Sequence, residues 1–66
     1  MGYREAREIA RIRHELRERL MAQRTEGATD VLARFRHAAK DAAASSPELR
    51  SEYERWRLRF ELLGAA

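Results

Sequence analysis

The spacing of large apolar residues in the last third of the chain leaves little freedom. Leu49, Tyr53, Trp56, Phe60 and Leu63 follow one another at intervals of 4, 3, 4 and 3. Such spacing gathers them on one face of an α-helix and scatters them over both faces of a strand. An aromatic stripe of this kind is a core face, since burying such side chains gives roughly 1.5–3 kcal/mol each. The last third therefore reads as an amphipathic helix that needs other helices to cover it.

Local signals divide the rest. Ser45-Ser46-Pro47-Glu48 starts the last helix in one of two ways. Either Ser46 is the N-cap with Pro47 at the first helical position, or Ser45 caps with Glu48 completing a capping box. Gly27 can close a first helix in the left-handed conformation, and Thr29 or Asp30 can cap a second. Gly64 stops the third. The expected fold is all-α: an antiparallel up-down-up three-helix bundle with helices over about 3–25, 29–44 and 47–63, in one domain spanning 1–66. Short connections make neighbours antiparallel. In helix 2, Val31, Phe35, Ala38 and Ala42 share a face, and its alanines allow close backbone approach. Leu32, Ala39 and Ala43 widen that face beyond what one neighbour needs.

Size makes association attractive. A 66-residue chain buries only about 60% of the surface its unfolded form exposes. Its core supplies about 3–5 kcal/mol unaided. Cysteine is absent, which removes disulfides and thiolate metal sites. Leu58 and Leu62 lie one turn apart on the side of helix 3 away from its stripe, where they can form a dimer seam or a partner groove.

Thirteen of the 14 basic residues are arginine. A GC-rich genome, as in many bacteria, explains that count, so only placement carries information. At about 100° per residue, Ile9, Ile12, Leu16 and Leu20 form the apolar stripe of helix 1. Beside it runs a strip of Arg7, Arg13, His14, Arg17 and Arg24 with no acidic residue. Glu8, Glu15 and Glu18 fall on the far side with Arg4 and Arg11.

Two functional classes follow. The first is a small helical interaction or regulatory module that binds itself, as a dimer, or another protein. Its contact residues are Arg13, Arg17, Arg24, Leu58 and Leu62, apolar faces rimmed by arginine. The second is a nucleic-acid-associated protein whose Arg13, Arg17 and Arg24 meet successive phosphates, with Arg7 extending the ridge. The net charge of only +3 and the balanced charges of helix 3 favour the protein partner. A helix-turn-helix reader also wants a basic, exposed final helix, not the most aromatic one. The ridge can equally pair with glutamates of its own bundle.

Catalysis, cofactors and metals are not expected. His14-Glu15-Leu16-Arg17-Glu18 begins like the helical zinc-protease motif, but Glu18 stands where the second histidine belongs. His37 sits among Asp30, Arg34 and Asp41 as solvated charge. Ser45 and Ser46 read as caps, and no glycine-rich phosphate loop is present. No apolar run reaches the roughly 18 residues of a membrane span. Met1-Gly2 opens like a myristoylation site, with Ala6 where a hydroxyl residue is expected. The expected location is cytoplasmic. The ending Leu62-Leu63-Gly64-Ala65-Ala66 resembles, in its last residues, the small-apolar tags read by bacterial unfoldase–proteases; a frayed tail is the simpler reading.

Overall fold

A computed structural model describes residues 3–42 and 46–65. It has three helices, α1 (Tyr3–Met21), α2 (Ala28–Ala42) and α3 (Pro47–Ala65). Cross-links set their order. Arg34 of α2 meets Glu15 of α1, and the rings of Phe35 and Tyr53 stack between α2 and α3. Gly64 near the end of α3 lies against Thr25 in the α1–α2 connection. The bundle is therefore up-down-up, with α1 and α3 running the same way.

The core joins Ile9, Ile12 and Leu16 of α1 to Ala28, Val31, Leu32, Phe35 and Ala39 of α2 and to Leu49, Trp56 and Phe60 of α3. Phe35, Ile12 and Leu16 are the largest side chains fully removed from solvent. Leu20, Ala38 and Tyr53 pack at the margin. Packing is most extensive between α1 and α2 and least between α1 and α3. Helix α2 thus serves two neighbours, which explains the width of its apolar face. Leu32 and Ala39, expected to be surplus, are core residues; Ala43 lies outside the described residues.

Helix α1 ends at Met21, four residues short of expectation. The Gln23 N–H donates to Leu20 C=O (3.1 Å) and the Arg24 N–H to Arg19 C=O (2.9 Å). With Gln23 at φ 55°, this is a Schellman motif carried by a glutamine where glycine is the usual occupant. Gly27, at φ 72°, instead sets the start of α2. The Ala28 N–H closes a turn onto Thr25 C=O, and Gly27 C=O accepts the Val31 N–H. Gly27 therefore holds the N-cap position, and Thr29 and Asp30 lie inside the first turn.

These two left-handed positions invite opposite substitutions. Gln23→Gly should stabilise by about 0.5–1 kcal/mol, because glycine adopts this conformation without a Cβ penalty. Gly27→Ala should destabilise by about 1 kcal/mol for the converse reason. Its added Cβ would also stand 3.3 Å from Nη2 of Arg19, at the far end of that side chain. Thermal melts check both, since 1 kcal/mol corresponds to about 4–8 °C in a chain of this size.

At the other connection, α3 begins at Pro47 with Ser46 in the N-cap position. The Ser46 Oγ donates to the Glu48 carboxylate (3.0 Å). The alternative cap, Ser45, and the expected end of helix 2 at residue 44 lie outside the described residues, as do Met1-Gly2 and Ala66. Helix α3 runs through Gly64 to Ala65. Gly64 has no positive φ, so it continues the helix where it was expected to end it.

Candidate partner-binding surface

Arg13 sits on the flank of α1 that turns towards α3. Its Nε and Nη2 donate to the two carboxylate oxygens of Glu52, at 2.6 and 2.7 Å. The Trp56 indole N–H, one turn along α3, donates to Glu52 Oε2 at 3.0 Å. One carboxylate thus accepts three hydrogen bonds, two of them in the fork geometry that arginine presents to a planar anion. The side chain of Glu52 is 18% exposed and that of Arg13 36%. The hydrogen bonds from Arg13, aided by that from Trp56, hold the Glu52 carboxyl below its ordinary 4.5 although burial opposes this. The same pair raises the pKa of Arg13. This polar clamp joins the two helices that share the least packing.

The remaining candidates divide. Arg17 lies one turn beyond Arg13, is exposed, and has no ion pair or side-chain hydrogen bond among the described residues. Arg24 does not continue the strip along the helix: α1 has ended before it, and it stands in the connection. The continuous three-arginine ridge is therefore broken at one end by the Glu52 clamp and at the other by the helix terminus. Leu58 and Leu62 are 51% and 65% exposed. Met21, which sequence reasoning passed over, is more exposed still and lies at the α1 end nearest the α3 C-terminus. Its signal was its position off the Ile9–Leu16 stripe.

Around Leu58 and Leu62 the charges are unevenly spent. On one side Arg57 binds Glu54 and Glu61, at 3.0 and 3.1 Å, one turn either way along α3. On the side facing α1, Arg59 lies over the Trp56 ring, 5.5 Å from its centroid, a favourable cation–π placement. Arg55 is close enough to Glu52 to help keep it ionised. Neither has a carboxylate within salt-bridge distance among the described residues.

Other candidate chemistry is thin. His14 and Glu18 approach to 3.9 Å on the exposed side of α1. Among the described residues no group of three or more His, Cys, Asp or Glu side chains could hold a metal ion. An open groove of about 310 Å³ runs between the start of α2 and the end of α3, over Leu32 and Phe60. Its charged residues, Arg57 and Glu61, are already paired with each other. No helix of the described residues is long and apolar enough to cross a membrane. Comparison with known protein families, curated proteins and solved structures finds no match.

Proposed function

We propose that the chain is a small helical interaction module that binds a protein partner through apolar helix surface rimmed by arginine. The observation that carries this reading is the exposure of Leu58 and Leu62 on the outward side of α3. The core has its own leucine and aromatic residues and makes no use of these two. Arg55 and Arg59, which have no salt bridge among the described residues, border them, so a partner meets apolar surface and positive charge together. Fewer residues support the alternative, a phosphate track along α1. Arg13 is committed to Glu52 and Arg24 stands beyond the helix.

Photo-crosslinking in cells tests the module. A crosslinking amino acid at position 58 or 62 should form discrete protein adducts, and the same amino acid at exposed Arg11 or Arg36 should not. Sedimentation of the purified chain at two concentrations distinguishes self-adducts from other partners. The double variant Leu58→Glu/Leu62→Glu should lose the adducts while changing stability by less than about 0.5 kcal/mol each, as exposed positions do. A chain that stays monomeric and gives the same adducts from all four positions would overturn the reading.

A further inference from the structure

The strip of α1–α3 surface beside the clamp has a composition that selects its occupant. Arg13 and Glu52 mark one level of the parallel pair α1–α3. One turn further, Arg17 comes level with the stretch of α3 between Arg55 and Arg59. At 3.6 residues per turn, Arg59 lies about 20° round α3 from Glu52, Arg55 about 60°, Leu62 about 80° and Leu58 about 120°. The order across the surface is therefore Arg17, the seam, the two α3 arginines, then the two leucines. The seam is also the least packed of the three helix pairs. It is the place where a fourth helix could lie.

Resting on the interaction-module reading, we infer that this seam binds an amphipathic helix of another protein, carrying aspartate or glutamate beside its leucine-type stripe. The partner's apolar residues would cover Leu62 and Leu58, and its carboxylates would meet Arg17, Arg55 and Arg59. Arginine suits this role, since its planar head takes carboxylates in a fork while its stem lies along apolar surface.

Charge argues against a second copy of the chain. A symmetric dimer places the same patch on both sides, and this patch holds three arginines, Arg17, Arg55 and Arg59, that have no salt bridge among the described residues. The acids beside it are already engaged, Glu52 by Arg13 and Glu54 and Glu61 by Arg57. Each chain also carries a net +3. An acidic helix turns the same arginines from a repulsion into the larger part of the recognition, giving positions for helix-in-groove binding.

A synthetic helix about five turns long, with leucine at i, i+3, i+4 and i+7 flanked by glutamate, is the probe. Three controls accompany it: the same composition scrambled off one face, a version with lysine for every glutamate, and a single-stranded oligo-dT. Binding is followed by amide chemical shifts and by titration calorimetry. The glutamate helix should bind at least about tenfold tighter than the scrambled and lysine helices, a difference of about 1.4 kcal/mol. It should shift resonances along the α1–α3 seam. Leu58→Ser/Leu62→Ser should weaken it about tenfold. In Arg55→Glu/Arg59→Glu the preference should reverse towards the lysine helix, a rescue that unfolding cannot mimic.

Equal binding of the scrambled helix would overturn the inference, because charge alone would then suffice. So would tighter binding of oligo-dT that ignores the leucine substitutions. A dimer dispersed by Leu58→Glu would overturn the acidic partner and leave the interaction module standing. A monomer that binds no helix and yields no position-specific adducts would remove both.

Discussion

Phe35→Ala is expected to abolish the cooperative melt at 25 °C. Phe35 is fully buried at the centre of α2 and its ring stacks on Tyr53, with centroids 6.5 Å apart. Truncating such a side chain costs about 3–5 kcal/mol through lost burial and the cavity left behind. The core of a chain this small supplies about the same amount. Neighbours cannot refill the space cheaply, because α2 borders both other helices and any shift that closes on one opens on the other. Circular dichroism against temperature and urea measures the outcome. Two comparisons calibrate it: Ile12→Val should cost about 0.5–1.5 kcal/mol, and Leu58→Ala should fall within about 0.5 kcal/mol. A Phe35→Ala chain that melts cooperatively within a few degrees of the parent would contradict the core assignment.

Removing Glu52 should have the next largest effect. Glu52→Ala strips Arg13 and the Trp56 indole of their shared acceptor. A hydrogen bond to a charged group contributes about 1.5–3 kcal/mol, but Arg13 is 36% exposed and water replaces part of what is lost. The expected cost is about 1–2 kcal/mol, after discounting for that exposure. A double-mutant cycle between Arg13→Ala and Glu52→Ala should return a coupling of about 1 kcal/mol. Acid supplies an independent handle. The folded-state pKa of Glu52 lies below its ordinary 4.5, so the clamp's contribution is complete above that value. It is lost as the pH falls through the lower folded value, because the unfolded chain then takes up the proton first. Glu52→Gln does not titrate, so the stability gap between it and the parent should narrow on acidification from pH 7 towards pH 2. A gap that is constant with pH would show that the carboxylate charge contributes nothing there.

The helices were legible because periodicity of 4 and 3 has one structural meaning, and the aromatic stripe of α3 reads it out almost without interruption. Leu49, Trp56 and Phe60 are buried, with Tyr53 at the core margin. The end of α1 was not legible. Gln23 adopts the left-handed conformation without any side-chain feature that announces it, whereas Gly27 advertised a terminus and marked the start of the next helix instead. That four-residue error carried Arg24 off the helix. The surplus assigned to Leu32 and Ala39 came from counting one neighbour for α2 where there are two. The clamp was hidden for a different reason. Helix geometry sets Glu54 and Glu61 on the far side of α3, but Glu48 and Glu52 share a face, and only the level at which α1 lies beside α3 selects Glu52 for Arg13. The outward position of Leu58 and Leu62, by contrast, follows from helix geometry alone, and the structure leaves both exposed.

An odd number of helices also decides how the unit carries tension. Because α1 and α3 run the same way, the backbone enters the bundle at one pole and leaves at the other, about 28 Å away for helices of 19 residues. A pull on the two ends slides α1 against α3 lengthwise instead of peeling them apart. Interlocked side chains resist sliding over the whole length of α2. Between α1 and α3, where packing is least, the transverse Arg13–Glu52 bridge should carry a larger share of the resistance, so drawing the ends apart is expected to load it early.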